Sequence, residues 1–432
     1  MAERLRAPFA ILVACAVNAI ASVAAGQSTA TTNTCLTCHA KLQDARLATP
    51  AALFAAPDVH RENSFGCKDC HGGDPSQQDA SRAHDAASGF KGAPAGPAQI
   101  ATCARCHSDG ELMRRFSPRQ RVDQAAEYRT SVHGKQLARG DTRVATCASC
   151  HGAHGIRVVS DAKAPVFPTN VAGTCASCHA DPSRMRGYTL PSGAPLLTNQ
   201  LADYQKSVHY AALTTSNDLS APTCNDCHGN HGAAPPGIGS VTNVCGTCHS
   251  VFAQKFATSV HQQIFDRGCV ECHGNHAVPK PSDEMLGTGA ASLCATCHSG
   301  KDDKGAAAAD AMRAAIDRLK GGIDRADAAI ARVRDAGMEV AAQQLALADA
   351  RSRLTLARTE IHTFEPARVE PAVADGLNIV DSVNLAVARA RAELQYRRRG
   401  LVLSLAAILL LVAALALKIR QIERRPPSAT DR

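Results

Sequence analysis

The sequence predicts a mainly α-helical protein with extensive irregular loops, in which a loop-rich region precedes an α-helical bundle and one C-terminal transmembrane helix. Three observations carry this. A Cys-x-x-Cys-His pentapeptide recurs nine times between residues 35 and 298, among frequent Gly and Pro. Residues 305–399 are rich in Ala, Arg and Asp, lack the pentapeptide, and repeat apolar residues at heptad spacing. Residues 401–417 are apolar except for Ser404.

The pentapeptides pair Cys35 and Cys38 with His39, Cys67 and Cys70 with His71, Cys103 and Cys106 with His107, and Cys147 and Cys150 with His151. They continue with Cys175, Cys178 and His179; Cys224, Cys227 and His228; Cys245, Cys248 and His249; Cys269, Cys272 and His273; and Cys294, Cys297 and His298. A zinc knuckle, a redox dithiol or a disulfide pair would tolerate any residue after the second cysteine. All nine copies have histidine there, the pattern of c-type haem attachment: two thioether cysteines and a proximal iron ligand. The sites use eighteen of nineteen cysteines and leave only Cys15. Nine covalently bound haem c groups also explain a 432-residue chain with 3% aromatics and no Trp, because the macrocycles replace aromatic side chains in the core. Their propionates would offset the formal charge of +8, so the basicity does not point to nucleic acid.

The sites alternate. His71, His151, His228 and His273 are followed by Gly; His39, His107, His179, His249 and His298 by Ala or Ser. This marks a two-haem repeat. Three units begin with Ser-Val-His (His133, His209, His261), continue to Cys-His-Gly-x-His (His154, His231, His276) and close on a second site. A divergent unit with His60 and His84 precedes them, and the Cys35 site reads as the closing half of a truncated one. Helical periodicity over 123–138, 200–213 and 251–265 places Ser-Val-His in the C-terminal half of a helix, with Ser and Val as packing residues.

Of eighteen histidines, nine lie in the pentapeptides; the others are His60, His84, His133, His154, His209, His231, His261, His276 and His362. These nine are candidate distal ligands. Three residues of chain span at most roughly 10 Å, so in Cys-His-Gly-x-His the second histidine cannot pass round the macrocycle to the same iron. His154, His231 and His276 must therefore serve a neighbouring haem. His362 lies one residue beyond the apolar seam and is free to face a haem.

Residues 1–25 read as a signal peptide, with Arg4 and Arg6 before an apolar run and small residues at its end. A competing lipoprotein-like box would acylate Cys15. The haem region is 26–300 and the helical bundle 301–399. The bundle seam runs through Ile316, Leu319, Ile323, Ala326, Ile330 and Val333, then Val340, Leu347, Leu354 and Ile361, then Val373, Val380, Val387 and Leu394. Breaks are expected near Gly337 and at Pro366 and Pro371. A transmembrane helix at 400–420, flanked by basic residues, leaves 421–432 in the cytoplasm and the haem region in the periplasm, at a bacterial inner membrane.

The units containing Ser131 to His133 with 147–154, Tyr204 to His209 with 224–231, and Ser259 to His261 with 269–276 resemble bacterial multihaem c-type cytochromes of the cytochrome c3-like, paired-CXXCH group. The segment around His362 and Pro366 is similar to the helical tail of multihaem nitrite reductase and hydroxylamine oxidoreductase relatives, although no Cys-x-x-Cys-Lys site is present. The resemblance implies a membrane cytochrome b-like, quinone-reactive partner and periplasmic redox proteins.

Bis-histidine haem has no open axial position, so the first expectation is electron transfer between the quinol pool and periplasmic acceptors, with no catalytic residue. The alternative is a reductase or oxidase of a small nitrogen or sulfur compound, which needs one open haem. A scaffolding role for the tail is compatible with the first.

Overall fold

The computed structural model describes residues 33–190, 192–236, 241–300 and 302–424. The expected signal peptide, Cys15 and residues 425–432 lie outside the described residues. Two compact units share the chain: Met1–Asp123 with Ala145–Ala164, and Gln124–Val144 with Pro165–Arg432. Among the described residues there is no strand, only one isolated bridge between Thr189 and Pro195.

The first unit is built from short helices. Each is too short to persist alone, so local caps and tertiary contacts hold it. Asp44, Asp58, Asp79 and Asp109 accept main-chain N–H bonds at the starts of Ala45–Ala55, Val59–Glu62, Ala80–Ala83 and Gly110–Phe116. The buried apolar set is small and includes Ala51, Ile100 and Met113.

The second unit combines similar short helices with a bundle of α1 (Lys304–Arg334), α2 (Ala341–Glu360) and α3 (Pro366–Glu423). Its core contains Ile316, Leu319, Ile323, Ala326, Ile330 and Val333 of α1, Leu347, Ala350, Leu354 and Ala357 of α2, and Val369, Val373, Val380, Val383 and Val387 of α3. The heptad pattern thus becomes the buried face. Leu394 is only partly buried, and the seam fades there.

Three expectations are corrected. The helices over 123–138, 200–213 and 251–265 are each split at the serine: Gln124–Thr130 is followed by Val132–Ala138, Gln200–Tyr204 by Val208–Thr214, and Ser250–Ala257 by a 3-10 turn Val260–Gln263. The serine is a cap, not a mid-helix packing residue. Pro371 does not break α3, because flanking Val369, Ala372 and Val373 are buried in the core and hold the backbone helical. The apolar segment is not a separate helix either. It continues α3, whose 58 residues contain a window of mean hydropathy 2.8 that is wholly exposed, long and apolar enough to cross a membrane.

A charged knot fastens the last loop of the haem region to the bundle. The Asp283 carboxylate accepts from Arg358 Nε and Nη2 at 2.9 and 2.7 Å and lies 3.5 Å from Lys320 Nζ. Arg313 also donates to the Asp283 main-chain oxygen. The Arg358 guanidinium holds the Asp283 carboxyl below the usual aspartate range, against the opposing effect of burial. A depressed carboxyl contributes stability above its unfolded pKa, and that contribution is lost as pH falls through the folded value. Asp283→Ala is expected to cost about 2 kcal/mol at pH 7. It should lower the denaturant midpoint of the helical signal, with the difference from wild type shrinking under acid conditions.

Candidate haem-binding sites

Two kinds of short helix present the pentapeptide histidines. In Cys67–His71, Cys147–His151, Cys224–His228 and Val270–His273 the helix stops at the histidine, and the following glycine has φ of +70, +81, +85 and +68°. Only glycine adopts that left-handed region without strain, which is the physical content of the His-Gly alternation. The Ala or Ser sites instead end on residues with negative φ, such as Ala40, Ser108 and Ala180.

The spare histidines are positioned by a second recurring device. Ser131 Oγ accepts from Gly134 N at 2.9 Å, Ser207 Oγ from Tyr210 N at 3.1 Å, and Ser259 Oγ from Gln262 N at 3.4 Å. All three serines are buried. The valine N–H that follows donates to a carbonyl two residues beyond the Cys-His-Gly-x-His histidine of the next repeat: Val132 to Ala233 at 3.0 Å and Val208 to Val278 at 2.9 Å. Val59 donates likewise to Ile156 at 2.7 Å, and Asp58 caps His60 N at 2.8 Å. Asp58, Val59 and His60 are therefore a copy of Ser-Val-His with Asp in the serine's place. Sequence reasoning left this correspondence unstated, although Asp and Ser are interchangeable as helix caps.

With these restraints the histidine rings face one another in pairs. In the first unit, His39 faces His84 with ring centres 6.0 Å apart, His71 faces His154 at 5.9 Å, and His107 faces His60 at 6.0 Å. In the second, His179 faces His133 at 6.0 Å, His228 faces His276 at 6.0 Å and His249 faces His209 at 6.3 Å. His273 faces His362 at 6.2 Å and His298 faces His261 at 6.1 Å. His151 in the first unit and His231 in the second complete the eighteen; His231 Nδ1 lies 3.7 Å from a Glu127 carboxylate oxygen.

These distances test whether the residues fit haem. A metal–imidazole bond is about 2 Å and a ring nitrogen lies roughly 1 Å from its ring centre, so two trans imidazoles on one iron have centres about 6 Å apart. Eight pairs meet this value, each combining a pentapeptide histidine with a spare one. Among the described residues no group of three or more His, Cys, Asp or Glu side chains is shaped for a bare metal ion, which is not the arrangement of zinc knuckles. The residues fit haem. Interplanar angles follow the alternation: 5, 13 and 19° at the Gly-type sites His71, His228 and His273, and 37 to 89° at the others.

Burial first, and then the facing imidazole, keeps His107, His133, His154, His209, His261, His273 and His276 below the ordinary histidine range. Neutral rings retain the lone pair that a metal requires. Nδ1 of His39, His71 and His228 contacts the carbonyl oxygens of Leu47, Gly92 and Ala234 at 3.3, 2.6 and 3.2 Å, which directs the other nitrogen outward.

The cysteines show which sites adjoin. Cys35 meets Cys67, Cys70 lies beside Cys103 and Cys106, and Cys103 meets Cys147. In the second unit Cys224 meets Cys175, Cys227 lies beside Cys248, Cys245 meets Cys269, and Cys272 lies beside Cys294 and Cys297. These free thiols stand in for thioether sulfurs. Their meaning is adjacency: within each unit, neighbouring sites follow chain order.

Residues 261–303 match the family described as a doubled CXXCH motif, 43 of the 432 residues. Comparison with curated proteins and with solved structures found no match. The matched segment runs from His261 through the last pentapeptide to Asp303. The match and the motif support a multihaem c-type cytochrome with covalently bound haem c.

Ser131→Ala removes a buried cap and should destabilise the chain by about 1 kcal/mol, whereas Ser131→Asp should retain the cap. Unfolding monitored in the haem absorption band checks both.

Proposed function

We propose that the chain is a membrane-anchored periplasmic cytochrome carrying nine haems. In this reading it passes electrons between the quinol pool, through a membrane cytochrome b-like partner, and soluble periplasmic acceptors. The observation that carries the reading is the set of eight imidazole pairs with ring centres 5.9 to 6.3 Å apart. Each bound haem supplies a one-electron carrier. The protein's part would be to offer two imidazoles to the haem at each of the eight paired sites, which would leave a substrate no coordination position there, and to hold neighbouring sites in chain order within each unit. Chain-ordered sites form a path rather than a single reaction centre. The exposed apolar part of α3 supplies the anchor, and the basic residues at its ends suit the membrane boundary.

His362 is the decisive ligand because the bundle, not the repeat, provides it. It sits in the 3-10 turn Ile361–Thr363, donates through Nδ1 to Thr359 O at 3.2 Å, and faces His273 with rings 19° from parallel. Electron paramagnetic resonance of the oxidised, full-length protein should show only low-spin haem. His362→Ala should convert one haem in nine to high spin with the haem count by mass unchanged. A substantial high-spin signal in the wild type would favour the small-molecule reductase alternative and sink the conductor reading.

A further inference from the structure

We propose that Asp303 lowers the reduction potential of the ninth haem site by placing a carboxylate on the outer nitrogen of its proximal histidine. The inference rests on His298 and His261 being the axial pair of that site.

His298 Nδ1 lies 3.0 Å from both Asp303 carboxylate oxygens. This differs from His39, His71 and His228, whose Nδ1 atoms meet main-chain carbonyls. The contact is built into the start of the bundle. Asp303 caps α1, accepting from Gly305 N at 2.7 Å and Ala306 N at 3.3 Å, so the helix start fixes the carboxylate. The imidazole in turn lies close against the first turn of α1. A methyl group at Gly305 would stand 2.2 Å from His298 Cε1 and 2.3 Å from Nδ1, so the approach needs glycine. The Asp303 side chain is 25% exposed, shielded enough for its charge to act on the ring.

A charge-assisted hydrogen bond from imidazole N–H to carboxylate is stronger than one to a carbonyl, and it raises the basicity of the opposite nitrogen. A more basic axial ligand, with a negative charge behind it, favours ferric over ferrous iron. Reduction would add one electron, supplied by the adjoining eighth site or, in a titration, by the electrode, and the proton would stay on Nδ1. The site that adjoins the bundle therefore has a lower potential than the same imidazole pair would have with a carbonyl partner.

The test compares the haem-loaded, full-length wild type with Asp303→Asn and Asp303→Ser. Asn and Ser cap helices as well as Asp does, so α1 is retained, while neither carries the charge. Spectroelectrochemical titration followed by magnetic circular dichroism should show one component, with one-ninth of the amplitude, moving to higher potential in both variants while the others overlay. Superimposable titrations, with haem still on Cys294 and Cys297 by peptide mass, would overturn the role of Asp303 and leave the axial pairing intact. A wild-type protein whose ninth haem is missing or high-spin would instead overturn the pairing, and the inference with it.

Discussion

A bis-histidine site needs its two imidazoles on opposite sides of one flat ring, and a short peptide cannot supply both. That constraint organises the protein. The histidine three residues after a Gly-type site is barred from that site by chain length. The structure turns it to the previous repeat: His154 faces His71 and His276 faces His228. The same segments accept the valine N–H bonds from Val59 and Val208. In these two cases one crossing segment supplies both a ring and a main-chain acceptor, so the repeat is completed by its successor.

A chain completed from ahead needs something to end it, and the bundle takes that role. After the third complete repeat no further Cys-His-Gly-x-His exists. The turn between α2 and α3 stands in its place. His362 faces His273, and Phe364, at φ +59°, lays its ring 4.0 Å from the ring of His261. Lys255 Nζ meets Glu360 at 2.7 Å, and Asp283 meets Arg358, so the substitute repeat is pinned on two sides. An aromatic residue in a left-handed conformation is costly, and its retention here fits a position dictated by the ring it covers.

What could be read from the sequence follows from range. The pentapeptides are local covalent chemistry and are plain in any reading, as is the heptad seam from Ile316 to Val387, because both depend on near neighbours. The spare histidines can be counted but not matched, since the choice between His154 and His60 for the ring of His71 is made by contacts nearly a hundred residues apart. The split at Ser131, Ser207 and Ser259 is hidden for a related reason. A serine at a cap and a serine in a helix leave the same apolar period, and only the buried hydroxyl distinguishes them. In the sequence Asp303 is one acidic residue among many, and its meaning appears only when α1 begins beside His298.

The bundle also restricts how electrons can reach the sites. α3 begins at Pro366, directly after the turn that holds His362, and is one continuous helix through its apolar part. The 36 residues from Pro366 to Leu401 rise about 50 Å at 1.5 Å each. The bundle is thus a stalk, with the eighth and ninth sites at the end of α3 opposite its apolar segment. On the proposed reading, with that helix upright in a membrane, a partner confined to the bilayer would not reach these two sites, and electrons would pass to them through a relay outside the membrane. The proposed lower potential at the ninth site has its consequence there, because that site meets whatever the stalk presents to it.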